Sequence, residues 1–167
     1  MIDPLRLLVI ADDLAGRTKK GAPNQTLLRR SVSTAYYALF HHLLQAGTDA
    51  LVGKRSRKSA RYALIYRSFE HARMKQICQA VDKPVLADKE KIALGVAALR
   101  QELRDVANIF VQLQQQRHWA DYSPHGKITR SDALDLVNQA ELAIRQLDAC
   151  PIEERRNFLA LVMTSSR

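Results

Sequence analysis

Apolar residues recur at steps of three and four through nearly every segment of this chain, and no stretch alternates as a half-buried strand does, so the pattern predicts helices throughout. Asp3 ahead of Pro4 marks the start of a first helix and Gly16 its stop. A second helix is expected over residues 24–47, ending at Gly47, with Leu28, Val32, Ala35, Tyr36, Leu39 and Leu43 as one stripe. The stretch "GKRSRKSAR" then reads as a loop, and helix resumes over 66–81 until "DKP" stops it. Residues 88–120 predict the longest helix. Its Ile92, Val96, Leu99, Leu103, Val106, Phe110 and Leu113 alternate four- and three-residue steps, the spacing of a bundle seam. "YSPHGK" is a turn, and Thr129 with Asp132 three residues on resembles a capping box. Ala133, Val137, Ala140, Ile144 and Leu147 stripe the helix that follows, and Pro151 opens a short terminal helix over 151–163. These elements predict a single all-α domain over 1–167, an antiparallel bundle of four main helices with short additional helices.

A chain of 167 residues, 47% hydrophobic and 26% charged, is long enough to close a hydrophobic core, and its composition argues against wholesale disorder. Charge changes the picture. A formal net charge of +9 favours anionic partners, nucleic acid first and an acidic protein or membrane surface next. Cys78 and Cys150 lie far apart in no metal-ligand pattern, which suits two buried thiols in a reducing cytoplasm. The opening "MIDPLRLLVIADD" lacks the basic and apolar regions of a signal peptide, and the longest apolar run, 92–99, is too short to span a bilayer. A cytoplasmic protein without a membrane partner is expected.

Candidate chemistry gathers in "QQRHWADYSPHG", residues 115–126. Extending the seam four residues beyond Leu113 reaches Arg117, whose guanidinium keeps its proton and must find an acceptor. Asp121, one turn later, is the nearest candidate. Arg117 either marks where the seam leaves the core, paired with Asp121, or faces a cleft where it holds a phosphate or a charged transition state.

The segment "RRSVSTAYYALFHHLL", residues 29–44, resembles the first long helix of the HEPN superfamily of prokaryotic helical bundles, with small residues, a Tyr-Tyr pair and "ALF" on one face. "RHWADY" resembles the Arg-x-x-Ala-Asp-Tyr ending of an uncharacterised HEPN branch, and the two segments bracket a bundle core of about 5–148. The resemblance implies a bundle that dimerises and acts in stress, defence or toxin–antitoxin settings. It also implies, for active members, cleavage of RNA without a metal ion through an Arg-x(4–6)-His motif. There a base activates the ribose 2′-OH while the arginine neutralises the phosphate. Arg117 matches the arginine. The histidine is missing: the matching positions hold Tyr122, Ser123 and Pro124, and His125 falls one place outside. A tyrosine with a pKa of about 10 is a poor base at neutral pH, though it can donate to a phosphate oxygen or stack on a base. His118 is rotated about 100° from Arg117 around the helix, while His125 sits in the turn and could fold back.

Arg30, Tyr37 and His41 share one helical face and could complete a pocket with Arg117; otherwise His41 and His42 sit at a bundle margin and simply hydrogen-bond. Lys54, Arg55, Arg57, Lys58, Arg61, Arg67, Arg73 and Lys75 face one acid, Glu70, with Tyr62, Tyr66 and Phe69 interleaved. Such a segment is either a groove for single-stranded RNA or a solvated loop leading into a helix whose aromatics are core. His71 and Cys78 share a face but have no third ligand at useful spacing, so neither a metal nor another cofactor is expected. The expectation is a dimeric bundle that binds RNA or a nucleotide. Arg117, Tyr122 and His125 would carry any cleavage, and Arg30, Tyr37, His41, Arg55, Arg57, Lys58 and Arg61 the binding. The alternative is a catalytically silent module that docks a cognate partner protein, through Phe158, Leu159 and Val162 if these are exposed.

Overall fold

The computed structural model describes residues 2–96 and 98–163. Among these it contains eight α-helices and no strand, which is the all-α class that the periodicity predicts. The helices are α1 (Pro4–Ala15), α2 (Gln25–Val52), α3 (Ala60–Arg67), α4 (His71–Val81), α5 (Asp88–Leu94), α6 (Gln101–Tyr122), α7 (Arg130–Ala149) and α8 (Ile152–Met163). A 3-10 turn, Lys54–Ser56, lies ahead of α3.

Local chemistry sets several of these limits. The Asp3 carboxylate accepts the amides of Leu5 and Arg6 at 3.0 and 3.2 Å, and Gly16 closes α1 with a φ of 72° that favours glycine. Thr129 and Asp132 form the anticipated reciprocal cap of α7, each accepting the other's amide at 3.1 and 3.0 Å.

Three boundaries differ from the expectation. α2 runs past Gly47 to Val52. Gly47 is no stop: a Cβ there would overlap the Met163 thioether, so the missing side chain lets α8 lie close against the α2 backbone. The expected helix over 88–120 is two helices. Gly95, at φ 68°, closes α5, and the Asn157 amide donates to the Leu94 carbonyl at 3.0 Å, taking one of the acceptors that a continuing helix would have used. Ile92 therefore leaves the seam and is 81% exposed, whereas Leu99, Leu103, Val106, Phe110 and Leu113 are buried as expected. Helix also begins earlier in the basic segment. Ser59 caps α3 by accepting the Tyr62 amide at 3.1 Å, and the chain breaks again before α4.

The chain forms two compact units, whose limits fall within α2, α6 and α7. The first comprises Met1–His41 and Ile109–Arg145. Its core includes Ala15, Leu28, Val32, Ala120, Ile128 and Ala133, with Leu134 and Leu136 packed against them. The second comprises His42–Asn108 and Gln146–Arg167. There α4 and α5 both pack on α8. Phe158, Leu159 and Val162 are accordingly buried, so the condition attached to a docking surface on the terminal helix is not met. Cys78 and Cys150 are buried free thiols, and burial pushes both above the usual thiol range.

Candidate functional site

The two segments singled out in the sequence meet in the first unit. Arg117, on the last turns of α6, donates from Nη2 to the Tyr37 hydroxyl at 3.0 Å. Its Nε lies 2.8 Å from Asp121 Oδ2, close enough for an ion pair but not aligned as a hydrogen bond. The other Asp121 oxygen accepts the Ser33 hydroxyl at 2.6 Å. A serine and a tyrosine one helical turn apart on α2 thus engage an aspartate and an arginine one turn apart on α6. The pairing of Arg117 with Asp121 where the seam leaves the core is present, and the side chain keeps 26% of its exposure.

Aromatic rings flank the guanidinium. Its carbon lies 5.5 Å from the Tyr37 ring centre and 5.9 Å from that of Tyr122, both within cation–π range. His41 stacks on Tyr37 with ring centres 6.0 Å apart, and His118 lies against Tyr122 at 4.8 Å. Burial opposes the Arg117 charge, but Tyr37, Asp121 and Tyr122 outweigh it, so its pKa is raised and the group stays cationic. Tyr122 is 66% exposed, so its ring is open to solvent.

The turn after α6 is held in place by residues that the sequence reading did not single out. Arg29 Nη1 donates to the carbonyls of Ala120 and Ser123 at 2.9 and 2.7 Å, and its Nη2 to Gly126 at 2.6 Å, capping the end of α6 with a fixed cation. The Gln25 amide pairs with both backbone groups of Ile128, at 2.8 and 3.0 Å. Gly126 leaves room for Trp119, since a Cβ there would overlap the indole ring. His125 is exposed within this pinned turn, and the contacts of Arg117 are with Tyr37, Asp121 and Tyr122 instead. Arg30 is exposed two turns before Tyr37 on α2. A neighbouring cavity of about 540 Å³ is walled by Gln115, Gln116, Trp119, Lys127, Asp132 and Leu136 rather than by Arg117.

The basic segment belongs to the second unit. Arg55, Lys58 and Arg61 are exposed. Arg57 is committed to Asp49, donating from Nε at 2.9 Å and pairing again through Nη2. Tyr62 is 2% exposed and donates to Asp49 at 3.0 Å, so this aromatic belongs to the core and cannot stack on a base. Burial, then the bond to Asp49, pushes the Tyr62 hydroxyl up to about 12. Burial alone would raise the Asp49 carboxyl, but Arg57 and Tyr62 outweigh it and hold it below the usual range. Tyr66 and Phe69 are half-buried.

No helix among the described residues is long and apolar enough to cross a membrane. Compared with protein-family models, curated proteins and solved structures, the chain has no significant match.

Proposed function

We propose that the protein is a HEPN-like RNA- or nucleotide-binding protein whose ligand phosphate sits at Arg117. The supporting observation is the arginine itself: a charged guanidinium, partly open to solvent, set between Tyr37 and Tyr122 with a histidine ring beside each tyrosine. A guanidinium suits a phosphate, and an exposed aromatic ring suits an unpaired base. Asp121 sets a condition on this reading. An incoming phosphate must compete with a carboxylate already 2.8 Å from Nε. If the bound RNA is cut, Arg117 holds the scissile phosphate while Tyr122 or His125 supplies a hydrogen bond or moves a proton. Dimerisation and a defence or toxin–antitoxin setting come with the resemblance and belong to the same proposal.

The test is incubation of the full chain with single-stranded RNA in EDTA, with binding and cleavage read separately for wild type, Arg117→Ala and Tyr122→His. Arg117→Ala should lose RNA binding by about tenfold or more while keeping its helical circular dichroism. Tyr122→His, which supplies a histidine at the spacing the family uses, should raise cleavage. Unchanged RNA binding in a folded Arg117→Ala protein would overturn the proposal.

A further inference from the structure

The second unit holds a basic cavity of about 390 Å³ that the Arg117 reading does not use. Its walls come from α2, from the 3-10 turn, from the end of α7 and from the first turns of α8. Lys54, Arg57, Arg155 and Arg156 line it and outnumber its two carboxylates, Asp49 and Asp148, by two. His42 stands at the wall with Nε2 3.0 Å from Asp148 Oδ1, its side chain 13% exposed. Arg155 donates to the Asp148 carbonyl at 3.2 Å, which fixes its guanidinium at the cavity. Because α8 begins there, at Ile152, the positive end of the helix adds to the cationic field.

The lining is not only charged. Ala46 and Ala50, four residues apart on α2, form a low, flat wall, and Ile152 and Leu159 add apolar surface. A cavity lined by both cations and apolar side chains fits a ligand that carries an anionic group and an apolar one. The volume lies at the small end of the range for organic ligands. With Glu153 beside Arg156 and Asp148 beside Arg155, the cations at the cavity still exceed the carboxylates, a balance that suits a phosphate monoester. Arg156 also pairs with Glu153 at 2.8 Å, but both side chains are more than half exposed, and such a pair is weak enough for a phosphate to displace.

We infer that this cavity is a second anion site, independent of Arg117, that takes a free nucleoside monophosphate, with the phosphate among Lys54, Arg155 and Arg156 and the base against Ala46, Ala50 and Ile152. Arg57 is held by Asp49 and contributes its field rather than a free donor.

Calorimetric titration of the full chain with AMP, ribose 5-phosphate and inorganic phosphate at low salt tests this. AMP should bind tightest, because only it fills the apolar wall. Lys54→Glu and Arg156→Glu change exposed side chains, so the fold should survive; each should weaken AMP binding by about tenfold or more, and Arg117→Ala should leave it unchanged. Absence of AMP binding up to about 1 mM would overturn the inference. So would affinity that ignores both charge reversals, or loss of AMP binding in Arg117→Ala, which would move the nucleotide to the other site. A single-stranded RNA that needs Lys54 and Arg156 while AMP does not bind would also overturn it.

Discussion

Arg117 is shared between a hydroxyl, a carboxylate and two rings, and the carboxylate decides how strongly it can hold anything else. Asp121→Asn keeps an oxygen for Ser33 but removes the charge that competes with a phosphate. Under the proposed function this variant should bind single-stranded RNA severalfold more tightly, read by fluorescence anisotropy. Weaker binding would mean that Asp121 orients the guanidinium rather than rivals the ligand. The Arg117–Asp121 pair was legible in the sequence because four-residue spacing on a helix brings side chains together. Tyr37 was legible as part of one face with Arg30 and His41. Ser33 and Arg29 were not: their partners lie far along the chain, and a polar side chain bonding to a distant carboxylate or carbonyl leaves no periodic trace. Tyr62 was left open between core and stacking platform for a related reason. An aromatic residue among cations reads as either until its hydroxyl is seen on a buried acceptor.

At the scale of helices, Arg29 caps the end of α6 from α2. Arg29→Ala leaves three carbonyls to water and should cost about 2 kcal/mol, given that charge-assisted bonds are worth more than neutral ones and that these acceptors can rehydrate. Hydrogen exchange should quicken at the amides of residues 119–128 and change little in the second unit; uniform quickening would show that the cap supports the whole fold instead. The buried stripes of α2 and α7 and the seam from Leu99 onward were all readable from periodicity, since a repeated inward face is a local property. What periodicity could not settle was the meaning of a glycine inside an apolar run. Gly47 lies where one helix crosses another and the helix continues; Gly95 takes a left-handed conformation and the helix ends. The difference rests on Met163 and Asn157, both far away in sequence.

At the scale of the molecule, the pH dependence of stability should carry the mark of Asp49. Its carboxyl is held below the ordinary range, so its contribution is fully present above the unfolded value of about 3.9 and is lost as the pH falls through the lower, folded value. Wild type should therefore melt well above Asp49→Asn at neutral pH, and the gap should narrow as the pH falls below about 4. A gap of constant size would show that Asp49 stabilises through shape rather than charge. The excess of basic residues was visible at once, whereas its division between exposed cations, a structural ion pair and a basic cavity required the fold. Gly47 and Met163 add a consequence in time. The glycine leaves the ribosome well before the methionine that seats on it, so the second unit cannot finish its core until α8 has been made. Until α8 arrives, the stretch of α2 around Gly47 stays uncovered, and the packing of that helix waits on a segment made much later.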